Sequence, residues 1–425
     1  MKISRIFFMV ALCFVLALGL GGCGGGGSTS SSLPSSNTTA SSSNNTSGGT
    51  SDSPTYASYG TVIFASDPID NGVTPVTNNH SSILQVVHLF DPNGNPFSTP
   101  KLSIWSYDGV SDVDGAALTP DGSLGTFMDG PNTTLYFFSL TNGAYSQAQI
   151  TPFDINGSNF GTDGDSVAVL GSGKVAVVSL DSAPGQDNLV AVSGIGTTNL
   201  QTFELDVPRS RDGVVISKDD KVLLARGYSG LTVFAINSTA PVSQMFTLTE
   251  DFQGYPLGSY NEDGEGRNGM AISPADSSRA VVITGSQFTN LSQSVINLLT
   301  GLPGNPVLSN SVSVDQPVNS VTISGDQAIV GTDKGLLLFK GVSTGSLTLV
   351  GSYDPSYTLN NTSVVLGIVT TLGITHDGKN NQYVVAGDLS NGALLLIPIS
   401  TSGFGAPASA LPGVSVPWSD TMLIH

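Results

Sequence analysis

One phrase occurs six times along this chain at nearly constant spacing, and that recurrence limits the fold more than any other feature. The phrase is an acidic or amide residue, a short apolar strand pattern, a Ser/Thr turn with Asp or Gly, then a second apolar run. It is present at Asp114-Gly115-Ala116-Ala117-Leu118-Thr119-Pro120-Asp121-Gly122, Asp165-Ser166-Val167-Ala168-Val169-Leu170-Gly171 and Asp212-Gly213-Val214-Val215-Ile216-Ser217-Lys218-Asp219. It returns at Asn268-Gly269-Met270-Ala271-Ile272-Ser273-Pro274, Asn319-Ser320-Val321-Thr322-Ile323-Ser324-Gly325-Asp326 and Leu372-Gly373-Ile374-Thr375-His376-Asp377-Gly378. Aligning the last copy on Ile374 puts its lead position at Thr370, and the steps between leads are 51, 47, 56, 51 and 51 residues. A period near 50 with several strands per copy specifies a β-propeller, because each four-stranded blade must bury a face against the next and no copy is stable alone.

One further step reaches Asp420-Thr421-Met422-Leu423-Ile424-His425, which supplies only the first strand of a copy. The missing strands are expected at the other end, at Thr61–Ala65, Ile83–Phe90 and Leu102–Trp105. The expected fold class is therefore all-β: a seven-bladed β-propeller over residues 55–425, closed by pairing of the C-terminal strand with N-terminal strands. Closure of that kind removes the exposed edges of an open stack. The 51 glycines and the Ser/Thr/Val/Asn-rich body suit short strands and tight turns.

Cys13 and Cys23 are the only cysteines, so the body has no disulfide framework and no multi-cysteine metal site. A formal charge of −18, with only 11% of residues charged, argues against nucleic acid and against adsorption to anionic lipid.

Lys2 and Arg5 precede an apolar run from Ile6 to Leu20, the layout of a signal peptide over residues 1–22. Leu20-Gly21-Gly22-Cys23 resembles the lipobox of bacterial lipoproteins. The resemblance implies cleavage before Cys23, a diacylglycerol and a palmitate-type acyl chain on that residue, and attachment to a membrane of the cell envelope. Gly24 in place of Asp favours the outer membrane by the same resemblance. Residues 24–54 are almost entirely Gly, Ser, Thr and Asn. Such a segment cannot offset its ordering entropy, so residues 23–54 are expected to be a lipidated cysteine and a flexible linker spanning about 30 Å.

The copies are similar to YVTN and lactonase-like repeats, most clearly at Asn268–Asp276 and at His376–Gly387 running on to Ala393–Ile397. The resemblance covers residues 56–425 and implies architecture; function cannot be carried over from it. No nucleophile elbow, His-Glu-x-x-His, haem motif or Gly-rich nucleotide loop is present, and His80, His88, His376 and His425 are scattered. No catalytic residue is therefore assigned. No cofactor is assigned either, although acid-rich loops leave a weak Ca²⁺ site as a candidate. Asp91, Asn93 and Asn95 stand at EF-hand positions, but Pro96 and Leu102 replace the glycine and glutamate such a loop needs. Asn156, Asn159, Asp163 and Asp165, and Glu262, Asp263 and Glu265, are the other oxygen-rich stretches.

Propeller topology puts inner-strand turns on one face and blade-to-blade crossings on the other. The turns read as short and polar, whereas the crossings are read as holding Trp105, Tyr107, Arg209, Arg211, Tyr255, Tyr260, Arg267, Tyr353, Tyr357 and Trp418. Aromatic and arginine side chains serve binding hot spots and sugar stacking, so these ten residues form the candidate binding face. Asp114, Asp165, Asp212, Asn268, Asn319 and Asp420 open the inner strands and form a candidate ring at the channel mouth. The expected function is a monomeric, membrane-anchored, extracytoplasmic propeller that binds or scaffolds a protein or glycan partner. A lactonase-like hydrolase, metal-assisted at the channel mouth, is the alternative, and an electron-transfer role comes third. Whether the chain is an enzyme stays open, with a non-enzymatic role preferred.

Overall fold

The computed structural model describes residues 57, 59–66, 81–108, 113–129, 133–140, 145–149, 163–181, 188–195, 200–207, 213–227, 230–254, 257, 269–284, 293–414, 416 and 422–424. The chain divides into Met1–Ser41, which lies outside the described residues, and Ser42–His425, which holds every element below. The signal-peptide and linker expectations, Cys23 included, therefore fall outside the described residues.

Seven antiparallel sheets form a seven-bladed propeller, as the repeat requires. Blade 1 is β4 (Val113–Leu118), β5 (Gly125–Asp129), β6 (Thr134–Phe138) and β7 (Tyr145–Gln149). Blade 2 is β8 (Asp163–Val169), β9 (Val175–Asp181), β10 (Asn188–Ser193) and β11 (Gln201–Leu205). Blade 3 is β12 (Gly213–Ile216), β13 (Val222–Gly227), β14 (Gly230–Ile236) and β15 (Phe246–Gln253), and blade 4 is β16 (Met270–Ile272), β17 (Arg279–Thr284), β18 (Ser294–Thr300) and β19 (Val307–Val314). Blade 5 is β20 (Val318–Ser324), β21 (Gln327–Thr332), β22 (Gly335–Lys340) and β23 (Thr348–Tyr353). A hairpin, β24 (Ser356–Leu359) with β25 (Thr362–Val365), precedes blade 6: β26 (Val369–His376), β27 (Gln382–Asp388), β28 (Ala393–Ser400), β29 (Gly403–Phe404) and β30 (Ser409–Pro412). Blade 7 joins the two ends of the chain, in the order β3 (Pro96–Asp108), β2 (Ser81–Phe90), β1 (Thr61–Ser66) and β31 (Met422–Ile424).

The closing pairs are Val62 with Ile424, Ile63 with Leu423 and Phe64 with Met422. The C-terminal strand is thus the innermost strand of blade 7, matching the single strand that the last repeat step supplies. Each innermost strand touches the next in an unbroken cycle through β4, β8, β12, β16, β20, β26 and β31.

The repeat phrase has a local cause. In β4, β8, β20 and β26 the lead residue is the extra residue of a β-bulge: Asp114, Asp165, Asn319 and Thr370 each lie where the register with the second strand shifts. A bulge leaves that residue unpaired and increases the strand twist where the strand enters the ring. The residue after the lead is small because inner strands converge there. A Cβ on Gly115 would stand 2.7 Å from Ser166 Cα in the neighbouring blade. Where that position is serine, its hydroxyl bridges blades: Ser166 accepts from the Val214 amide at 3.3 Å, and Ser320 donates to Val369 O at 3.3 Å.

Second and third strands are apolar on both faces, because both faces are covered. The burial of β13, VLLARG, and of β22, GLLLF, is complete through these runs. Seven hydrophobic clusters each join two neighbouring blades, one for every interface of the ring. Alternation along β1 shows how one strand serves two of them. Val62 packs with Tyr383, Val385 and Leu396 of blade 6, and Ile63 packs with Val113 and Phe127 of blade 1. Each such fully buried side chain contributes roughly 1.5–3 kcal/mol.

Deletion of residues 418–425 removes β31 and exposes the inner edge of β1 together with the blade 6 and blade 1 surfaces beside it. The expected result is a loss of at least about 3 kcal/mol, a fall of several degrees in melting temperature by calorimetry. An unchanged melting temperature would show that β31 does not close the ring.

Candidate functional site

The two faces of the ring carry different kinds of connection. On the face of the inner-strand turns, side chains tie blade 2 to 3, 3 to 4, 4 to 5 and 5 to 6. Both Asp220 carboxylate oxygens accept the Gly171 amide, at 2.9 and 3.0 Å, and Ser277 Oγ donates to Asp219 Oδ2 at 2.9 Å. Arg279 Nη1 donates to Val342 O at 2.9 Å, Ser324 Oγ to Gln382 Oε1 at 2.7 Å and Gln327 Nε2 to Ser400 O at 2.9 Å. The Gly378 amide donates to Gly94 O at 3.1 Å, joining blade 6 to blade 7. Within the turns, aspartates cap backbone and hydroxyl donors. Asp121 accepts from Thr119 Oγ1 at 2.6 Å and from the Ser123 amide at 3.0 Å, which holds its pKa down to about 2. Burial raises the Asp220 carboxyl, opposed by the Gly171 amide.

Asp91, the first position of the EF-hand-like stretch, belongs to such a turn: it accepts the Asn93 and Asn95 amides, each at 2.9 Å. Tyr59 lies on this face as well, its ring 5.3 Å from that of His376. The chain therefore enters the ring at the turn face. His88 lies inside blade 7, its Nδ1 3.1 Å from Thr61 Oγ1, and burial lowers its pKa. His80 and His425 are outside the described residues. Among the described residues no cluster of three His, Cys, Asp or Glu could hold a metal.

The opposite face carries the crossings between blades, which among the described residues include 254, 257, 315–317, 354–368 and 413–414. Of the candidate binding residues, Arg209, Arg211, Tyr255, Tyr260, Arg267 and Trp418 lie outside the described residues. The remaining four are strand residues rather than loop residues. Trp105 and Tyr107 lie in β3, paired with Leu84 and Ser82, because alternation with Leu102 and Ile104 carries the strand on to Asp108. Tyr353 ends β23, with its ring stacked on Phe404 at 4.7 Å and its hydroxyl donating to Gly405 O. Tyr357 lies in β24 and donates to Asp388 Oδ2 at 2.9 Å; burial and the Asp388 charge raise its pKa. Both tyrosine hydroxyls are thus used inside the chain.

Of the candidate ring residues, Asp114, Asp165 and Asn319 hold the bulge positions of β4, β8 and β20, whereas Asp212, Asn268 and Asp420 are outside the described residues. Asn319 is largely buried, with Nδ2 donating to Asp333 Oδ1 at 3.1 Å.

Sequence reasoning missed a further set, placed where second strands reach the crossing face. Asp129, Arg226, Thr284, Thr332 and Asp388 lie at those ends, none more than 2% exposed. Arg226 reaches a connection and the next blade: Nε donates to Leu257 O at 3.1 Å and Nη2 to Thr284 Oγ1, at the end of β17, at 3.2 Å. Asp388 accepts from Tyr357, the Gly367 amide at 3.2 Å, the Asn391 amide at 3.3 Å and Asn391 Nδ2 at 2.7 Å. Arg226 and Asp388 hold crossing segments down from beneath. The available signal was a polar residue closing the second apolar run of a copy, as in Gly125-Thr126-Phe127-Met128-Asp129 and Val384-Val385-Ala386-Gly387-Asp388.

Asp388→Ala leaves those donors without an acceptor and is expected to cost about 3 kcal/mol, whereas Tyr357→Phe deletes one hydroxyl and is expected to cost about 1 kcal/mol. Urea unfolding midpoints compare the two. Equal effects would remove Asp388 as the centre of the latch.

The sequence matches no family model and no curated protein sequence. Solved structures share the architecture. A protein of unknown function from Desulfotomaculum acetoxidans is 14% identical with a TM-score of 0.55, the match covering 86% of this chain and 98% of that one. A candidate 6-phosphogluconolactonase from Bacteroides fragilis is 14% identical with a TM-score of 0.55, covering 84% and 99%. The periplasmic gluconolactonase of Pseudomonas aeruginosa is 13% identical with a TM-score of 0.54, covering 86% and 98%. At these identities the likeness shows the fold: a seven-bladed propeller whose structural neighbours include gluconolactonase-like proteins.

Proposed function

We propose that this chain is a lipid-anchored extracytoplasmic propeller that binds a protein or glycan partner on its crossing face. The supporting observation is that the described blade-to-blade connections lie on one face of the ring and the short inner-strand turns on the other. Among the described residues, turn-face side chains bridge blades at four of the seven interfaces, and the backbone pair of Gly378 with Gly94 bridges a fifth. The connection of residues 354–368 emerges on the other face, and binding residues concentrate in loops held by a rigid scaffold.

The test uses the Cys23→Ala protein, expected in the soluble fraction, mixed with isolated envelope glycan and with envelope protein fractions. Co-sedimentation is expected with one of them. Trp105→Ala with Trp418→Ala is expected to weaken it by about 2 kcal/mol or more, roughly thirty-fold in affinity. Recovery equal to that of the unsubstituted protein would exclude this face.

A second reading, a lactonase-like hydrolase acting at the channel mouth, is favoured by the architecture shared with proteins named gluconolactonases. It predicts turnover of six-membered sugar lactones that is lost in Asp165→Ala and on chelation. Absence of turnover over the spontaneous rate would dismiss it.

A further inference from the structure

The perimeter carries a feature that neither face accounts for. Between the outer edges of blades 2 and 3 lies a groove of about 450 Å³, lined by Phe203, Leu205, Phe234, Val242, Phe246 and Leu248 together with Glu204, Asp206, Ser243 and Thr247. The corresponding wedge between blades 5 and 6 is filled, because Tyr353 stacks on Phe404 there and is tied to Gly405. In the blade 2 to blade 3 wedge, Phe203, Val242 and Phe246 are partly buried against Leu205 and Phe234 and form an apolar floor. Leu248 stays 43% exposed on the rim.

One wall of the groove is β11, the outermost strand of its sheet. Its outer edge pairs with no described strand, and such an edge is a template for an added strand. The outer strands of blades 3, 4 and 5 are interrupted by bulges, at the register shifts Val233/Phe234, Leu298/Leu299 and Leu338/Phe339, whereas the pairing of β11 with β10 is regular from Gln201 to Leu205. β11 therefore lacks the bulge that blunts those three edges.

Charge selects the occupant. Glu204 on β11 and Asp206, just past its end, are exposed residues, and partial desolvation together with the Asp206 charge pushes the Glu204 carboxyl up. A cation beside the pair relieves that repulsion, whereas a second copy of this chain, at net −18, adds to it.

We propose that this groove takes up an extended basic segment of a partner protein, which adds as a strand to β11, seats apolar side chains on the Phe203, Phe234 and Phe246 floor and places Lys or Arg beside Glu204 and Asp206. Strand addition gives main-chain hydrogen bonds, and alternate side chains give specificity. The site is separate from the crossing face and stands or falls without it.

The probe is a short fluorescent peptide of alternating valine and lysine, with its valine–glutamate counterpart as control, titrated into the full chain by anisotropy. The lysine peptide is expected to saturate and to bind at least ten-fold tighter than the control. Glu204→Gln with Asp206→Asn, both exposed positions, is expected to weaken it at least five-fold. Hydrogen exchange of the β11 amides is expected to slow on binding, and Trp105→Ala with Trp418→Ala is expected to leave the affinity unchanged. No saturation, equal affinity for the two peptides, unchanged affinity in the carboxamide variant, or unaltered β11 exchange would each overturn the assignment. Self-association that strengthens in the carboxamide variant would place a second copy in the groove and overturn it as well.

Discussion

The whole ring depends on three residues at the end of the chain. Met422, Leu423 and Ile424 pair with Phe64, Ile63 and Val62, and through that short strand every blade has two neighbours. Without blade 7 the same stack would leave two large apolar surfaces in water, one on blade 6 and one on blade 1. Each holds a cluster of fully buried aliphatic and aromatic side chains, and both reach their partner through β1. The energetic weight of the closing strand therefore lies in the two interfaces it completes more than in its own hydrogen bonds.

Crowding falls with distance from the ring axis, and residue choice follows it. Where inner strands converge, the chain has Gly115, Ser166, Gly213, Gly269, Ser320 and Thr371, and two of the hydroxyls bridge to the next blade. Middle strands are apolar on both sides. Outer strands such as β19 and β23 are largely exposed, and those of blades 3, 4 and 5 carry bulges that make them poor templates for further pairing. The groove beside β11 departs from this gradient, with an apolar floor open at the perimeter.

Much of this was legible in the residues because a repeat records its own geometry. The lead residue and the small residue after it recur since each innermost strand meets the same bulge and the same close approach, and the alignment placed Thr370 on the bulge of β26 although that copy lacks an acid there. The division between turns and crossings was legible for the same reason. Less legible was the extent of single strands: β3 runs through Trp105 and Tyr107 because pairing with β2 sustains it, and pairing partners are distant in sequence. Tyr353 and Tyr357 carry the composition of a binding surface, yet their hydroxyls meet Gly405 and Asp388, 52 and 31 residues away.

What the sequence determined by itself is the count and closure of blades: a fixed step imposes a fixed rotation, and a final copy cut to one strand needs its complement at the other terminus. What only the tertiary structure decided is which polar residues are spent inside. Asp129, Arg226 and Asp388 are fully buried, and the Arg226 and Asp388 side chains meet groups from other elements of the chain. A charge survives out of water only where folding delivers its partners, and those partners are set by the packing of one strand end beneath a crossing.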